Sequence, residues 1–420
     1  MQAVQDPETA PAFRVDVAVH DLVMRPSERT TLRPSPVPQF LPDPVFPLQD
    51  EDDEPSKLAY HWHNGWRAFR RWLVPYIKSR ILSNEFRPIL SYLFTDYKCN
   101  LDCHYCWAYN NQVKGMTEDT AKRAIDWLHA TGCRVIALMG GEPLLRPHFI
   151  HKIVYYGTKR DFFVYLPTNG RLMRPDVIDR VGDAGVAAIN LAVDCIDEKP
   201  GLPKALNPIR KNFEYLVKRQ QRYGYMVVFN INICRTNIED VKILTEIAHD
   251  NGISTDYHIN ETPMIEQSHF KHYQDNSTYL RPEDYPKVDE LLDYLIEKNR
   301  QGYIMVNSKR HLATMKDFMR GKIMRPWNCR AGWNSLVIRV DGTIAPCFPM
   351  YSANYDWGTI ENHKFDFQQL QEMKKSCTKH CLSTCQYVLG YYYNNAHVLR
   401  WILKQALHGF QGIRAAAAQA

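Results

Sequence analysis

The residues best placed to do chemistry are three cysteines within eight positions, Cys99-Asn-Leu-Asp-Cys103-His-Tyr-Cys106. Three thiolates at this spacing suit a cubane iron–sulfur cluster, which ordinarily takes four. One iron is then left for a ligand the run does not supply. The same residues also suit a zinc ion, with His104 or a distant side chain as fourth ligand. A second set follows at Cys329, Cys347, Cys377, Cys381 and Cys385. Five candidate ligands are enough for one complete cluster, or for a structural zinc knot. His380 is a further candidate there. Residues 336–340, Asp341-Gly342 and 343–345 read as a hairpin with an Asp-Gly turn, which would draw Cys329 and Cys347 together. Cys133, Cys195 and Cys234 lie in or beside apolar strands and read as buried thiols. Cys195 follows Asp194 at a strand end, where it can also face a cavity.

These groups need elements to position them. Short β-rich runs are expected at 89–95, 134–139, 162–166, 187–193, 225–233 and 255–259. Thr117 caps a helix that passes through Ala121, Ile125 and Leu128 and stops near Gly132. Pro175 opens another that ends near Gly185. Asn237 caps a third over 238–249, before Gly252. Six βα repeats predict an α/β fold, a parallel sheet curved into a partial (β/α)6 barrel. Reactive groups in such folds stand at the C-terminal ends of strands. The cysteine run follows the first strand. Gly140-Gly141-Glu142-Pro143 follows the second, Thr168-Asn169-Gly170 the third, Asp194 the fourth, and Asn232, Arg235 and Asn237 close the fifth.

Cys99, Cys103 and Cys106, with Tyr105 just before the third cysteine, resemble the CX3CX2C motif of the radical S-adenosylmethionine (SAM) superfamily. The GGEP and TNG elements, each after its successive strand, extend the resemblance. It implies that the open iron chelates the amino and carboxylate groups of SAM. It places Tyr105 near the adenine and Gly140, Gly141, Glu142 and Pro143 at the SAM ammonium. Thr168 and Asn169 fall on the TNG segment, Asp194 near the ribose, and Asn232 and Arg235 near ribose and carboxylate. Asn237 reads as SAM contact or plain helix cap. Cys329, with Gly342 and Cys347 after it, is similar to the start of the SPASM or twitch auxiliary-cluster extension. A full SPASM domain has seven cysteines and two auxiliary clusters. Here its CX2CX5CX3C element is reduced to CX3CX3C, and no cysteine follows Cys385. The resemblance thus implies one auxiliary [4Fe–4S] cluster, on Cys329, Cys347 and two of Cys377, Cys381 and Cys385. It also implies reductive cleavage of SAM to methionine and a 5′-deoxyadenosyl radical, which takes hydrogen from an unactivated carbon. The electron donor would be a flavodoxin or ferredoxin. The rival reading is a non-catalytic iron–sulfur electron carrier.

The remaining segments divide as 1–58, a Pro- and acid-rich extended arm; 59–88, a basic aromatic helical segment kinked at Pro75; 89–300, the partial barrel; 301–390, the auxiliary-cluster domain; and 391–420, a helical tail. The 59–88 segment either touches lipid headgroups or packs on the body with its arginines outward. Together with the basic tail it suggests peripheral contact with the inner membrane face and an amphiphilic or lipid substrate, or a small metabolite. A ribosomally made peptide, a sugar or an aminocyclitol are the alternatives. Loop 261–281, with Glu261, Glu266, His269, His272 and Tyr273, either lines the substrate mouth or is plain surface. The chain has 45% hydrophobic and 23% charged residues, enough for a sizeable core. A net charge of +6 does not call for nucleic acid. No apolar run is long enough to span a bilayer and residues 1–11 show no signal-peptide pattern, so a reducing cytoplasm is expected.

Overall fold

In the computed structural model, the described residues are 55–81, 86–106, 114–259, 276–322, 329–348, 357–363, 365–377, 382, 387, 389 and 390. Loop residues 261–275, with Glu261, Glu266, His269, His272 and Tyr273, lie outside them. So do His380, Cys381, Cys385, the arm to residue 54 and the tail from 391.

All six expected strands form, within two residues of their predicted ends: β1 (Leu90–Asp96), β2 (Val135–Gly140), β3 (Phe163–Thr168), β4 (Ala188–Ala192), β5 (Met226–Ile233) and β6 (Ser254–Ile259). Each pairs in parallel with its sequence neighbour. The helices between them are α3 (Glu118–Ala130), α4 (Pro147–Lys159), α5 (Pro175–Asp183), α6 (Arg210–Tyr223) and α7 (Ile238–Asp250). Thr117 caps α3 as expected, its side chain accepting from Thr120 N. Asn237 stands at the head of α7 but its side chain does not cap it. That amide is drawn instead to the strand ends.

The sheet is open, in the order β6-β5-β4-β3-β2-β1-β7-β8. The expected hairpin supplies β7 (Ser335–Ile338) and β8 (Ile344–Ala345). Asp341 Oδ1 accepts from Thr343 N and Oγ1 at the turn, and Gly342 N donates to Arg339 O. β7 pairs in parallel with β1, so the hairpin extends the barrel sheet. α8 (Tyr285–Arg300) and α9 (Lys309–Met319) pack beyond β6, and α10 (Phe367–Cys377) follows β8.

Apolar residues lie on both faces of the sheet. One packs under the helices through Leu93, Ile136, Leu138, Val164, Leu166 and Ile189. Each such burial stabilises by about 1.5–3 kcal/mol. The other face turns inward and gathers Tyr92, Phe94, Val135, Ala137 and Phe163.

The segment before β1 is helical but differs from expectation. α1 (Lys57–Ala68) passes through a π-turn, Phe69–Leu73, into α2 (Val74–Ile81). The irregularity precedes Pro75, which has no N–H to continue the ladder, and Val74 N bonds Phe69 O instead. Nor do all the arginines face outward. Arg67 is buried, and its Nη2 donates to Asn64 Oδ1, Ala187 O and Gly224 O. Arg71 reaches Asp161. One guanidinium thus ties the carbonyls at the feet of β4 and β5 together, and Ala187 O also accepts from Met226 N. Trp62, Trp66 and Phe69 are the aromatic side chains most exposed on this segment.

Candidate functional site

Parallel strands with helical crossovers bring their C-terminal ends to one side. There the cysteine loop is built from Asp96, a buried carboxylate that no motif marks in the sequence. Its Oδ1 accepts from Tyr97 N (2.8 Å) and Lys98 N (3.0 Å), turning the chain out of β1. The Gly-Gly turn after β2 is pinned to the same loop, with Gly141 N on Asp96 O (3.0 Å) and Glu142 N on Lys98 O (2.7 Å). A methyl on Gly141 would stand 2.2 Å from Lys98 O, and one on Gly140 2.2 Å from Asp96 O. Only hydrogen fits at either place.

Glu142 is buried and nearly saturated. Leu144 N (2.9 Å) and Thr168 Oγ1 (2.8 Å) donate to Oε1, and Asn169 N (2.8 Å) donates to Oε2. Burial raises its pKa above the ordinary carboxylate value, against these three donors. Asn169 Nδ2 donates to Asn100 Oδ1 (2.8 Å), so the TNG segment grips the cysteine loop. The loop's other side rests on Gly201 and Asn276, through His104 N on Gly201 O and Asn276 Nδ2 on His104 O.

Cys103 is buried; Cys99 and Cys106 are half-buried. Burial pushes the Cys99 and Cys103 thiols up, and the neighbouring Cys106 adds to both shifts. The cation facing them is Lys204, which the sequence reading missed because it belongs to no motif. Burial pulls its ammonium down, but Cys103, Asp194, Cys106 and Cys99 outweigh burial and hold it up. Its Nζ lies 5.1 Å from the centre of the Tyr105 ring. Tyr105 Oη donates to Asp194 Oδ2 (2.5 Å), and Asn232 N donates to Asp194 Oδ1 (2.8 Å). Asp194 is buried, which raises its pKa. Asn237 Nδ2 donates to Asp194 O and Asn232 O, while its Oδ1 accepts from Cys234 N. Asn237 is therefore a clasp between β4 and β5, and this clasp costs it the helix cap.

Cys99, Cys103, Cys106, Tyr105, Glu142, Thr168, Asn169, Asp194 and Asn232 thus form one connected network. Arg235 stands apart, its guanidinium on Glu283 and Asp284. Cys195 and Cys234 are buried with Leu202 and Ala205 beneath Tyr105, and Cys133 is buried at the opposite strand end. Among the described residues no three His, Cys, Asp or Glu side chains converge on a single ion. The donor set of three thiols beside one cation fits an anionic iron–sulfur cluster. Cys329 is half-buried and Cys347 buried, and Gly332 N on Pro346 O aligns the segments carrying them. Cys377 ends α10, and its side chain lies outside the described set.

The radical SAM superfamily model matches residues 95–256, from the end of β1 into β6. An AdoMet-dependent heme synthase from Methanosarcina barkeri is 28% identical over 50% of this chain and 58% of its own. A probable GTP 3′,8-cyclase from Methanocaldococcus jannaschii is 25% identical over 50% of this chain and 70% of its own. An Fe-coproporphyrin III synthase from Methanosarcina barkeri is 22% identical over 41% of this chain and 43% of its own. The chain spans about half the length of several curated relatives it matches. Among solved structures, Streptococcus suis SuiB bound to precursor peptide SuiA superposes with a TM-score of 0.55 at 15% identity, over 76% of this chain and 75% of that one. That likeness is one of fold.

Proposed function

We propose, from the premise that this chain belongs to the radical SAM superfamily and is an enzyme, that it cleaves SAM reductively and abstracts hydrogen from an unactivated carbon. When bound, the cluster and SAM supply a 5′-deoxyadenosyl radical. The chain's own residues do the rest. Cys99, Cys103 and Cys106 would hold the cluster and leave one iron for SAM. Glu142 locks the turn after β2 to Thr168 and Asn169. Lys204 offsets negative charge beside the thiolates. Asp194 fixes Tyr105, and the barrel wall excludes water. The observation that carries this reading is the bonding of Gly141 and Glu142 directly onto the loop of the three cysteines. An electron carrier would need a fourth thiolate there. The test is 5′-deoxyadenosine formation by anaerobically reconstituted protein with dithionite and SAM. If none forms, or if Cys103→Ala forms as much, the proposal fails.

Cys329, Cys347 and two of Cys377, Cys381 and Cys385 are proposed to hold one auxiliary [4Fe–4S] cluster. Iron near eight per chain, falling to near four in Cys347→Ala, would support it. A flavodoxin or ferredoxin is proposed as donor, and the reducing cytoplasm as location. Among the described residues no helix is long and apolar enough to cross a membrane. Peripheral lipid contact is proposed through the outward face of α1 and the π-turn after it, where Trp62, Trp66 and Phe69 are exposed. No acidic residue occurs between Ser56 and Asn84, and Lys57, Arg70, Lys78 and Arg80 are exposed. This face lies at the N-terminal ends of the strands, away from the cysteines, so it would orient the enzyme rather than feed it. A heme synthase, a GTP cyclase and a peptide-bound structure share no substrate class, so the substrate is argued from the chain's own interior.

A further inference from the structure

The inward face of the sheet is divided by chemistry. On β1 to β3 it carries Tyr92, Phe94, Met139, Phe163 and Tyr165. On β4 to β6 it carries Asn190, Asn230, Asn232, Asp256 and His258. Alternation fixes this orientation, because Ala188 and Met226, in phase with these positions, belong to the inner cluster. Ile189, Leu191, Phe229, Ile231 and Tyr257, out of phase, pack under the helices.

The polar half is ordered by depth. Asn232 pairs in register with His258, and Asn230 with Asp256. Asn232 N holds Asp194, so His258 stands level with the floor of the proposed SAM site. Asp256 lies two residues deeper, roughly 6–7 Å. Asn230 Nδ2 (3.1 Å) and Asp256 Oδ2 (3.4 Å) both reach His258 Nε2. On the same face Trp72 packs edge-on against Phe163 (6.3 Å) and Tyr165 (6.2 Å).

Two acceptors in this wall, Asp256 Oδ1 and Asn190 Oδ1, are cut off from solvent and have no hydrogen-bond partner among the described residues. A buried acceptor without a partner pays its desolvation uncompensated. Both are acceptors on the same wall, facing an aromatic surface. An apolar chain would leave them orphaned.

We propose that this wall is the substrate site, and that the substrate is a compact molecule with at least two hydroxyl or amino donors on an apolar carbon frame. Asp256 and Asn190 accept from the donors, and Tyr92, Phe94 and Tyr165 cover the frame. The proposal rests on the radical SAM reading above. It deepens that reading by setting a small polar substrate ahead of a lipid or a peptide.

The test uses the reconstituted full chain with SAM, dithionite and a metabolite extract of its native cells grown in deuterated medium. The extract is split into hydrophilic small-molecule, peptide and lipid fractions. Deuterium in 5′-deoxyadenosine, as a fraction of the total formed, reports hydrogen taken from the substrate. The hydrophilic fraction should label the product. Asp256→Leu and Asn190→Leu should each lower the labelled fraction tenfold or more, while Ile243→Ala, on the outer surface of α7, should not. Should Asp256→Leu fail to fold, Asp256→Asn should still lower it at least threefold. Labelling from the lipid or peptide fraction alone, from no fraction, or undiminished in the variants overturns the proposal. Absence of any 5′-deoxyadenosine would instead overturn the radical SAM reading.

Discussion

His311 makes the fold acid-sensitive in a way that can be worked out from its surroundings. The ring is buried on α9, stacked on Tyr387 with centroids 4.4 Å apart. Its Nδ1 faces Asn307 Nδ2 at 3.2 Å, and its Nε2 has no partner among the described residues. Asn307 in turn clasps Tyr257 N and O on β6. Burial lowers the imidazole from 6.5 to about 4; Asp256 opposes the shift and His258 adds to it. Between these values the unfolded chain binds a proton that the folded chain refuses, so stability rises with pH. At pH 5 the unfolded imidazole gains about 2 kcal/mol from protonation and the folded one less than about 0.1 kcal/mol. Moving from pH 7 to pH 5 should therefore cost about 2 kcal/mol through this residue, since an imidazole in the unfolded chain gains only about 0.2 kcal/mol at pH 7. His311→Phe keeps a ring against Tyr387 and removes the titration. Urea unfolding of anaerobic holoprotein at both pH values, with cluster absorbance followed separately, measures the difference. The pH 7 to pH 5 loss should be smaller in His311→Phe than in wild type by about 2 kcal/mol. Equal losses in the two proteins would refute the reasoning.

Other consequences follow from the site. Gly141→Ala puts a methyl 2.2 Å from Lys98 O, backbone against backbone. Iron content and 5′-deoxyadenosine formation should both fall at least tenfold, and normal iron loading would contradict the pinned turn. Asn237→Ala removes three buried hydrogen bonds between β4, β5 and α7. Urea denaturation should show a loss of about 2–4 kcal/mol; a loss under 1 kcal/mol would mean the clasp is slack. Trp62→Ser with Trp66→Ser should weaken sedimentation with vesicles of 30% phosphatidylglycerol at low salt at least fivefold. No binding by the wild type, or equal binding to neutral vesicles, would dispose of the lipid contact.

How much of this could be read in advance depends on range. The six strands were legible because each is a short β-rich run bounded by turn residues, and α3 was legible from Thr117 and Gly132. The inward turn of Arg67 was not, because the carbonyls it satisfies belong to Ala187 and Gly224, more than a hundred residues away. The pairing of β7 with β1 was hidden for the same reason: a hairpin's local pattern says nothing of which edge it joins. Cysteines and glycines announced the site by spacing. Asp96 and Lys204 are single residues whose work appears only when β1, β2 and the chain after β4 meet.

The polar wall had a signal that went unread. Strands in a parallel sheet covered on both faces are expected to be near-continuous apolar runs. β2 (VIALMG) and β3 (FVYLPT) obey this. β4 (AINLA), β5 (MVVFNINI) and β6 (STDYHI) do not, for the inward side carries Asn190 in β4, Asn230 and Asn232 in β5, and Ser254, Asp256 and His258 in β6. Such alternation is ordinary in a sheet with one face in water. Here it lies in strands whose polar residues are buried or half-buried, where unpaired acceptors are costly. An inward face that keeps Asn190, Asn230, Asp256 and His258 against that cost is better explained by a polar ligand than by packing. Replacing Asp256 with Leu should therefore stabilise the resting protein or leave its stability unaltered, even as it abolishes hydrogen transfer from the substrate. Denaturation of Asp256→Leu beside wild type separates the two roles, and a loss above about 2 kcal/mol would make Asp256 a structural residue instead.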